Sequence, residues 1–299
     1  ILSIASPAHA ALTFSRTISS SNLDGPRGIA IDSSGDLYVP NPSNNTISEF
    51  NSAGSLVASI SSNLDEPEGI AIDSSGDLYV TNFANNTISK FNSAGSLVAS
   101  ISGNLDGPGA IAIDSSGDLY VTNNSNNTIS EFNSAGSLVA SISSNLDAPI
   151  GIAISSSGDL YVTNYLNNTI SEFNSAGNFV TSISGNLNHP YGIAIDSSGD
   201  LYVTNPSNNT ISEFNSTGTF LTSISGNLNH PYGIAIDSSG DLYVTNLENN
   251  TVSEFTNSSA VPEPSSVLGG FTAAVLGLVL RWRKRSLNTI EITRAAGQK

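Results

Sequence analysis

The 299-residue chain contains no cysteine. Disulfide bonds and thiol catalysis are thereby excluded, and stability has to come from a packed core alone. Basic residues are almost as scarce, with nine Lys and Arg against 25 Asp and Glu, a net charge of −16. Their distribution is uneven. Between Ala11 and Ala260 the only bases are Arg16, Arg27 and Lys90 against 23 acids, a charge of −20. The remainder holds six bases and two acids, a charge of +4. A nucleic-acid partner is excluded, because phosphate contacts require a basic footprint. Such an acidic chain suits solubility and association with divalent cations.

One sentence is written six times. Asn22-Leu23 recurs as Asn63-Leu64, Asn104-Leu105, Asn145-Leu146, Asn186-Leu187 and Asn227-Leu228, always at the same interval and with no insertion or deletion between copies. A fixed period of this length marks a repeat architecture. In the second copy, Gly69-Ile-Ala-Ile-Asp73, Leu78-Tyr-Val-Thr-Asn82, Thr87-Ile-Ser-Lys-Phe91 and Ser96-Leu-Val-Ala-Ser-Ile101 are short runs rich in β-branched and aromatic residues. Turn residues bound them, so each reads as a strand. No segment of the repeat is long or periodic enough for a helix. Ser-Ser-Gly and Ser-Ala-Gly place Gly where a tight hairpin needs a left-handed residue after a type I turn. Each copy is therefore an antiparallel four-stranded sheet.

Both faces of that sheet carry apolar residues, Ile70 and Ile72 on one and Ala71 on the other. Such a sheet must be covered on both sides by its neighbours. Six of them arranged radially make an all-β, six-bladed β-propeller of 41-residue repeats. A closed body of roughly 240 residues can bury an adequate core without cross-links. The sixth copy stops at Glu254-Phe-Thr256, before a fourth strand, while Leu12-Thr-Phe-Ser-Arg-Thr-Ile18 resembles the fourth strand of copy five, Phe220-Leu-Thr-Ser-Ile224. The N-terminal strand is expected to complete the last blade and remove an open edge.

Pro67-Glu-Gly-Ile-Ala-Ile-Asp73, Gly76-Asp-Leu-Tyr-Val80, Asn86-Thr-Ile-Ser-Lys-Phe91 and Gly95 together resemble the NHL repeat, and Leu78-Tyr-Val-Thr-Asn82 resembles the YVTN repeats of microbial surface proteins. Both resemblances imply a propeller. The only tryptophan, Trp282, lies outside the repeats, which sets aside WD-type repeats. NHL-type propellers include binding platforms, and some relatives are lyases or lactonases with a metal in the central channel. Fold alone does not choose among these.

The two ends read as addresses. Residues 1–10 are expected to be the remnant of a signal peptide, with Ala8-x-Ala10 as a small-residue cleavage pattern. Residues 11–259 then form the propeller. Residues 260–285 resemble the PEP-CTERM sorting signal, in which Pro262, Glu263 and Pro264 precede an apolar stretch and Arg281, Arg283, Lys284 and Arg285 follow it. The resemblance implies an exosortase-type processing enzyme as partner and a location in the envelope or outside the cell. As a helix, the stretch from Pro264 to Leu280 would span ~25 Å, a short transmembrane segment held at its basic end by the positive-inside rule. Residues 286–299 would be a cytoplasmic or disordered tail.

Differences between copies supply a map of candidate sites. They concentrate around the Pro ahead of the first strand and in the loop between the second and third strands. In a four-stranded meander both places fall at one end of the blade, opposite the Gly turns. One rim is thus varied and the other uniform. The residues after Pro should ring the channel mouth in the order Arg27, Glu68, Gly109, Ile150, Tyr191, Tyr232. Arg27 should pair with Glu68, and Tyr191 should adjoin Tyr232, with His189 and His230 just outside. Phe83 and Tyr165 add aromatic surface from the second loop. Such a surface suits a sugar or a peptide, although exposed loops also drift freely.

Catalytic sets are harder to assemble. His189 and His230 have no carboxylate in their repeat segment to complete a metal site. Asp32, Asp73, Asp114, Asp196 and Asp237 invite a calcium reading, yet Ser155 replaces Asp in copy four, and a hairpin role suits both residues. No Ser lies in a nucleophile elbow. The expectation is an exported, non-enzymatic binding or scaffold propeller that contacts a surface protein or extracellular polysaccharide with its varied rim, without cofactor or metal. The alternatives are a channel-centred, metal-dependent lyase or lactonase, and a structural surface protein with no ligand.

Overall fold

A computed structural model describes residues 12–257. The expected signal-peptide segment 1–10, the sorting stretch 260–285 with its expected transmembrane segment and the tail 286–299 lie outside the described residues. So do the sorting residues Pro262, Glu263, Pro264, Arg281, Arg283, Lys284 and Arg285.

Six four-stranded antiparallel sheets follow one another. In blade two the strands are Pro67–Ile72, Leu78–Asn82, Thr87–Phe91 and Leu97–Ser102, from the axis outward. The hairpins form as their turn residues require. The Asp73 carbonyl accepts from Gly76 N–H, Asp73 N–H donates to the Asp77 carbonyl, and Gly76 sits at φ +83°. The Asp73 side chain caps the same turn, its Oδ1 accepting from Ser75 and Asp77 N–H. Ser155 Oγ accepts the matching bond from Asp159 N–H in blade four, so Ser in place of Asp keeps one of the two capping bonds.

Blades stack through their faces. Ile70, Ile72, Leu78, Val80 and Phe91 of blade two pack on Ile47, Tyr38 and Ile60 of blade one. Ala71 and Tyr79 point the other way and pack on Ile111, Leu119 and Phe132 of blade three. Period-2 alternation thus feeds two cores from one strand. The third-strand phenylalanines, Phe50 to Phe255, are the largest fully buried side chains. The outermost strands contribute less, because Leu56, Val57, Leu97 and Val98 face solvent.

The ring closes with the N-terminal strand. Leu12–Ser19 pairs with Thr251–Asn257, from Leu12 opposite Asn257 to Ser19 opposite Thr251. Arg16 on this strand forms an ion pair with Glu254. The loops expected between the second and third strands carry a small difference in two blades. Pro42–Asn44 and Pro206–Asn208 each form a single 3-10 turn, because Pro fits the first position of a helical turn.

Side-chain bonds tie each blade to the next. The second Asn of every Asn-Asn-Thr adopts the left-handed conformation, and its Oδ1 accepts a backbone N–H from the following blade. Asn45 receives Glu66, Asn168 receives His189, and Asn250 receives Gly25 across the closure. Nearer the axis, a Thr hydroxyl on the second strand donates to the carbonyl of the next blade's post-Pro residue. Thr81 reaches Gly109, Thr122 reaches Ile150, Thr163 reaches Tyr191, Thr204 reaches Tyr232 and Thr245 reaches Arg27, at 2.5–2.7 Å. Blade one has Pro40 at this position, and the Glu68 carbonyl accepts from Gly28 N–H without the hydroxyl that joins the matching glycine N–H at Tyr232 and Arg27. Pro also lacks the N–H that would extend the ladder. The inner strand of blade one is accordingly only Ala30–Ile31.

Candidate functional site

The mouth of the channel lies where the inner strands begin. Both varied segments of each repeat meet at this end: Phe83 N–H donates to the Glu66 carbonyl, Tyr165 to Ala148 and Leu247 to His230. One rim of the ring therefore gathers the differences between copies, and the Gly turns occupy the other.

Each post-Pro residue is followed by a tightly packed glycine in five of the six blades. A Cβ on Gly28 would lie 2.6 Å from the Glu68 carbonyl, and one on Gly69 would lie 2.6 Å from that of Gly109. The inner strands therefore approach closely, and the cavity on the axis measures only about 50 Å³. Gly28, Gly69, Gly151, Gly192 and Gly233 line it, with Glu68 and Tyr191 at one end. Blade three reverses the order as Gly109-Ala110, so it presents no side chain at the mouth.

The residues of the other blades converge. Arg27 Nη1 lies 3.0 Å from Glu68 Oε1 and donates to Tyr191 OH at 2.9 Å. Tyr191 OH donates to Glu68 Oε2 at 3.1 Å, closing a three-residue ring. Tyr191 comes from blade five and Arg27 and Glu68 from blades one and two, so the contact crosses the channel. The Tyr191 and Tyr232 rings are 4.0 Å apart, and the Arg27 guanidinium lies 4.8 Å from the Tyr232 ring. Arg27 Nε is buried with no hydrogen-bond partner among the described residues.

Burial sets the protonation here. It pushes the Glu68 carboxyl above the usual range, opposed by the Arg27 charge and the Tyr191 hydroxyl. Burial, then the Glu68 charge, raises the Tyr191 phenol well above its ordinary value.

The expected neighbours are found, Arg27 beside Glu68 and Tyr191 beside Tyr232. His230 stacks on Tyr232 at 5.3 Å, and His189 packs on Tyr165 at 4.7 Å. Ile150 lines the axial cavity, while Phe83 is exposed on the rim away from the aromatic group. The two histidines do not face one another. His189 Nδ1 bonds Ser207 Oγ at 2.9 Å, and His230 Nδ1 lies 3.7 Å from Glu248 Oε1. That carboxylate corrects the reading of His230 as remote from any acid, because Glu248 reaches it from the second loop of the same blade.

Among the described residues no group of three or more His, Asp or Glu converges as a metal site. Glu68 is already matched by Arg27. A calcium ion takes six or more oxygens, so the donor set at the mouth does not fit one.

Sequence reasoning missed the threonine bonds and the reach of Tyr191 across the axis. The Thr of Leu-Tyr-Val-Thr-Asn is a visible signal, since a hydroxyl there interrupts an otherwise apolar pattern. Nothing in the repeat indicates how far Tyr191 extends.

Residues 8–257 match the Virginiamycin B lyase family. Residues 260–285 match the PEP-CTERM protein-sorting motif. No curated protein matches the chain. Among solved structures, virginiamycin B lyase from Staphylococcus aureus is similar, with 18% identity, TM-score 0.64, and coverage of 81% of this chain and 98% of that one. A gluconolactonase from Xanthomonas campestris gives 16% identity, TM-score 0.66, and coverage of 81% and 98%. At these identities the likeness is one of fold.

Proposed function

The chain belongs to the virginiamycin B lyase family, and on that premise we propose that it is an exported binding module whose ligand is contacted at the varied rim of the propeller. One observation carries this reading. Side chains that differ between otherwise uniform copies meet in a single network, with Arg27, Glu68, Tyr191 and Tyr232 contributed by four different blades. Ring topology brings these positions together, but independent drift gives no reason for their matched charge and hydrogen bonds. The small axial cavity directs a ligand to the surface of the mouth and not into the channel. The PEP-CTERM match supports export, an exosortase-type processing partner and a position at the envelope. Its short apolar stretch would attach the chain to the membrane before processing. Extracellular polysaccharide and surface proteins are the ligand classes at hand in that location.

The test is capture by the immobilised full chain. Polysaccharide and protein fractions of the extracellular polymer from the source cells are applied separately. A variant with Arg27→Ala, Tyr191→Ala and Tyr232→Ala runs beside the natural chain. Capture is expected to fall to background in the variant, provided its circular dichroism is unchanged. Equal capture by both would remove the mouth as the contact surface, and no capture by either would favour a purely structural surface protein.

A second reading, a lyase or lactonase, is favoured by the family and by one feature of the site. Glu68 is a carboxyl with a raised pKa, held beside a phenol and a guanidinium at a channel mouth, an arrangement suited to general acid work. Turnover of a streptogramin B or of gluconolactone, abolished by Glu68→Gln, would establish it. Absence of turnover of both would leave binding as the function.

A further inference from the structure

We propose that the mouth takes a neutral saccharide, laid against an aromatic arc formed by blades four to six. This rests on the reading of the mouth as a binding surface and names what it binds. The arc runs from Tyr165 and His189 to Tyr232 and His230. Tyr191 backs Tyr232 at 4.0 Å. Apart from Phe83 of blade two, the other half of the rim is small or polar, with Gly25, Glu66, Gly107, Gly109, Asn124 and Ser125. The mouth is therefore an aromatic wall facing an open side.

Three arguments select the ligand class. The first is shape. The axial cavity is about 50 Å³, too small for an anchoring side chain, whereas peptide partners bind tightly by filling desolvated pockets. A ligand here must lie flat. The second is surface chemistry. Tyr and His rings offer an apolar face with a polar edge. A pyranose ring matches them, with C–H bonds on its face and hydroxyls around its perimeter. Glu248, with a side chain 61% exposed beside His230, is an acceptor for those hydroxyls. The third is charge. Among the described residues Arg27 is the sole Arg or Lys at this end, and it is neutralised by Glu68 at 3.0 Å. Glu66 and Glu248 are unopposed by Lys or Arg, so a uronate or phosphate chain is repelled and a neutral sugar is not.

The experiment is isothermal titration of the full chain with cello-, malto- and mannohexaose. An oligouronate and a basic peptide run as the other arms. At least one neutral hexaose is expected to bind. Tyr165→Ala is expected to weaken it about tenfold, and Tyr165→Phe to change it by less than about threefold, since the ring and not the hydroxyl makes the contact. Tyr165 lies outside the Arg27–Glu68–Tyr191 network, so its replacement leaves the mouth assembled. An unchanged affinity in Tyr165→Ala would overturn the aromatic arc. Binding of only the uronate or only the peptide would overturn the ligand class while keeping the mouth as a binding surface. Binding of no arm would overturn the saccharide proposal. Loss of capture in the triple variant described above would then show that the mouth still binds something else.

Discussion

Arg27 and Glu68 are joined across the seam between blades one and two, where Pro40 stands in place of the threonine that bridges the other five. The ion pair and the missing hydroxyl share one boundary of the ring. The same two side chains that mark the mouth also bridge the one seam that lacks the threonine bond.

Replacing Pro40 by Thr should restore a hydroxyl donor to the Glu68 carbonyl and a backbone N–H to the blade-one ladder. A gain of about 0.5–1.5 kcal/mol is expected for one added buried hydrogen bond. Urea unfolding of Pro40→Thr measures it. The Arg27→Ala and Glu68→Ala double-mutant cycle, run in the natural chain and again in the Pro40→Thr chain, should give a coupling of about 1 kcal/mol or more in the natural background. The same coupling in both backgrounds would separate the pair from the seam.

Gly69→Ala should be costly. Its Cβ would meet the Gly109 carbonyl at 2.6 Å and Ala110 Cα at 2.8 Å, both backbone atoms of the next blade. A loss of roughly 1–3 kcal/mol is expected from overpacking. Thermal unfolding decides, and an unchanged melting temperature would mean that the inner strands can move apart.

Ala148 shows the opposite case. It holds φ +51° just before Pro149, where blades one and three have glycine. Ala148→Gly should stabilise the fold by about 1 kcal/mol, because an L-residue pays that much to sit in the left-handed region. Chemical denaturation of the variant checks the sign.

Alkali should unfold the ring through its second-strand tyrosines. Burial first, and then the facing carboxylates Glu49, Glu131, Glu172 and Glu254, push Tyr38, Tyr120, Tyr161 and Tyr243 from 10.0 to about 12. These groups keep their protons longer when folded than when unfolded. Their contribution is complete below the ordinary tyrosine value of 10.0 and is lost as pH rises toward about 12. Melting temperatures should fall across that interval, and less steeply in Tyr120→Phe and Tyr161→Phe.

Closure can be tested by removing Leu12–Ser19. The Thr251–Asn257 strand would lose its partner, and Ile18 would leave the core between blades six and one. A clear drop in melting temperature is expected. A truncated chain that melts like the full one would show that the ring does not depend on this strand.

The period, the four strands and the closing strand were legible because each is a local pattern: Asn-Leu at a constant interval, Gly after a type I turn, and Leu12–Ile18 resembling Phe220–Ile224. The neighbours at the mouth were legible from blade order, which puts Arg27 next to Glu68 and Tyr191 next to Tyr232. The reach of Tyr191 was not, because it depends on the channel width. That width is set by inner-strand glycines packing against carbonyls, a property of the assembled ring and not of one repeat. Glu248 was overlooked beside His230 for a related reason. The whole inner hairpin separates the two in sequence, and they meet only when the second loop folds back over the start of its blade.

Leu12 and Asn257 are paired at the Gly-turn rim, opposite Arg27 and Tyr232. Both ends of the described chain therefore join the ring on one side, and the side chains that distinguish its copies stand on the other. One rim carries the joins of the ring and the other carries its variation. The separation of joins from variation is set by the closing strand, which brings Leu12 and Asn257 together at one rim.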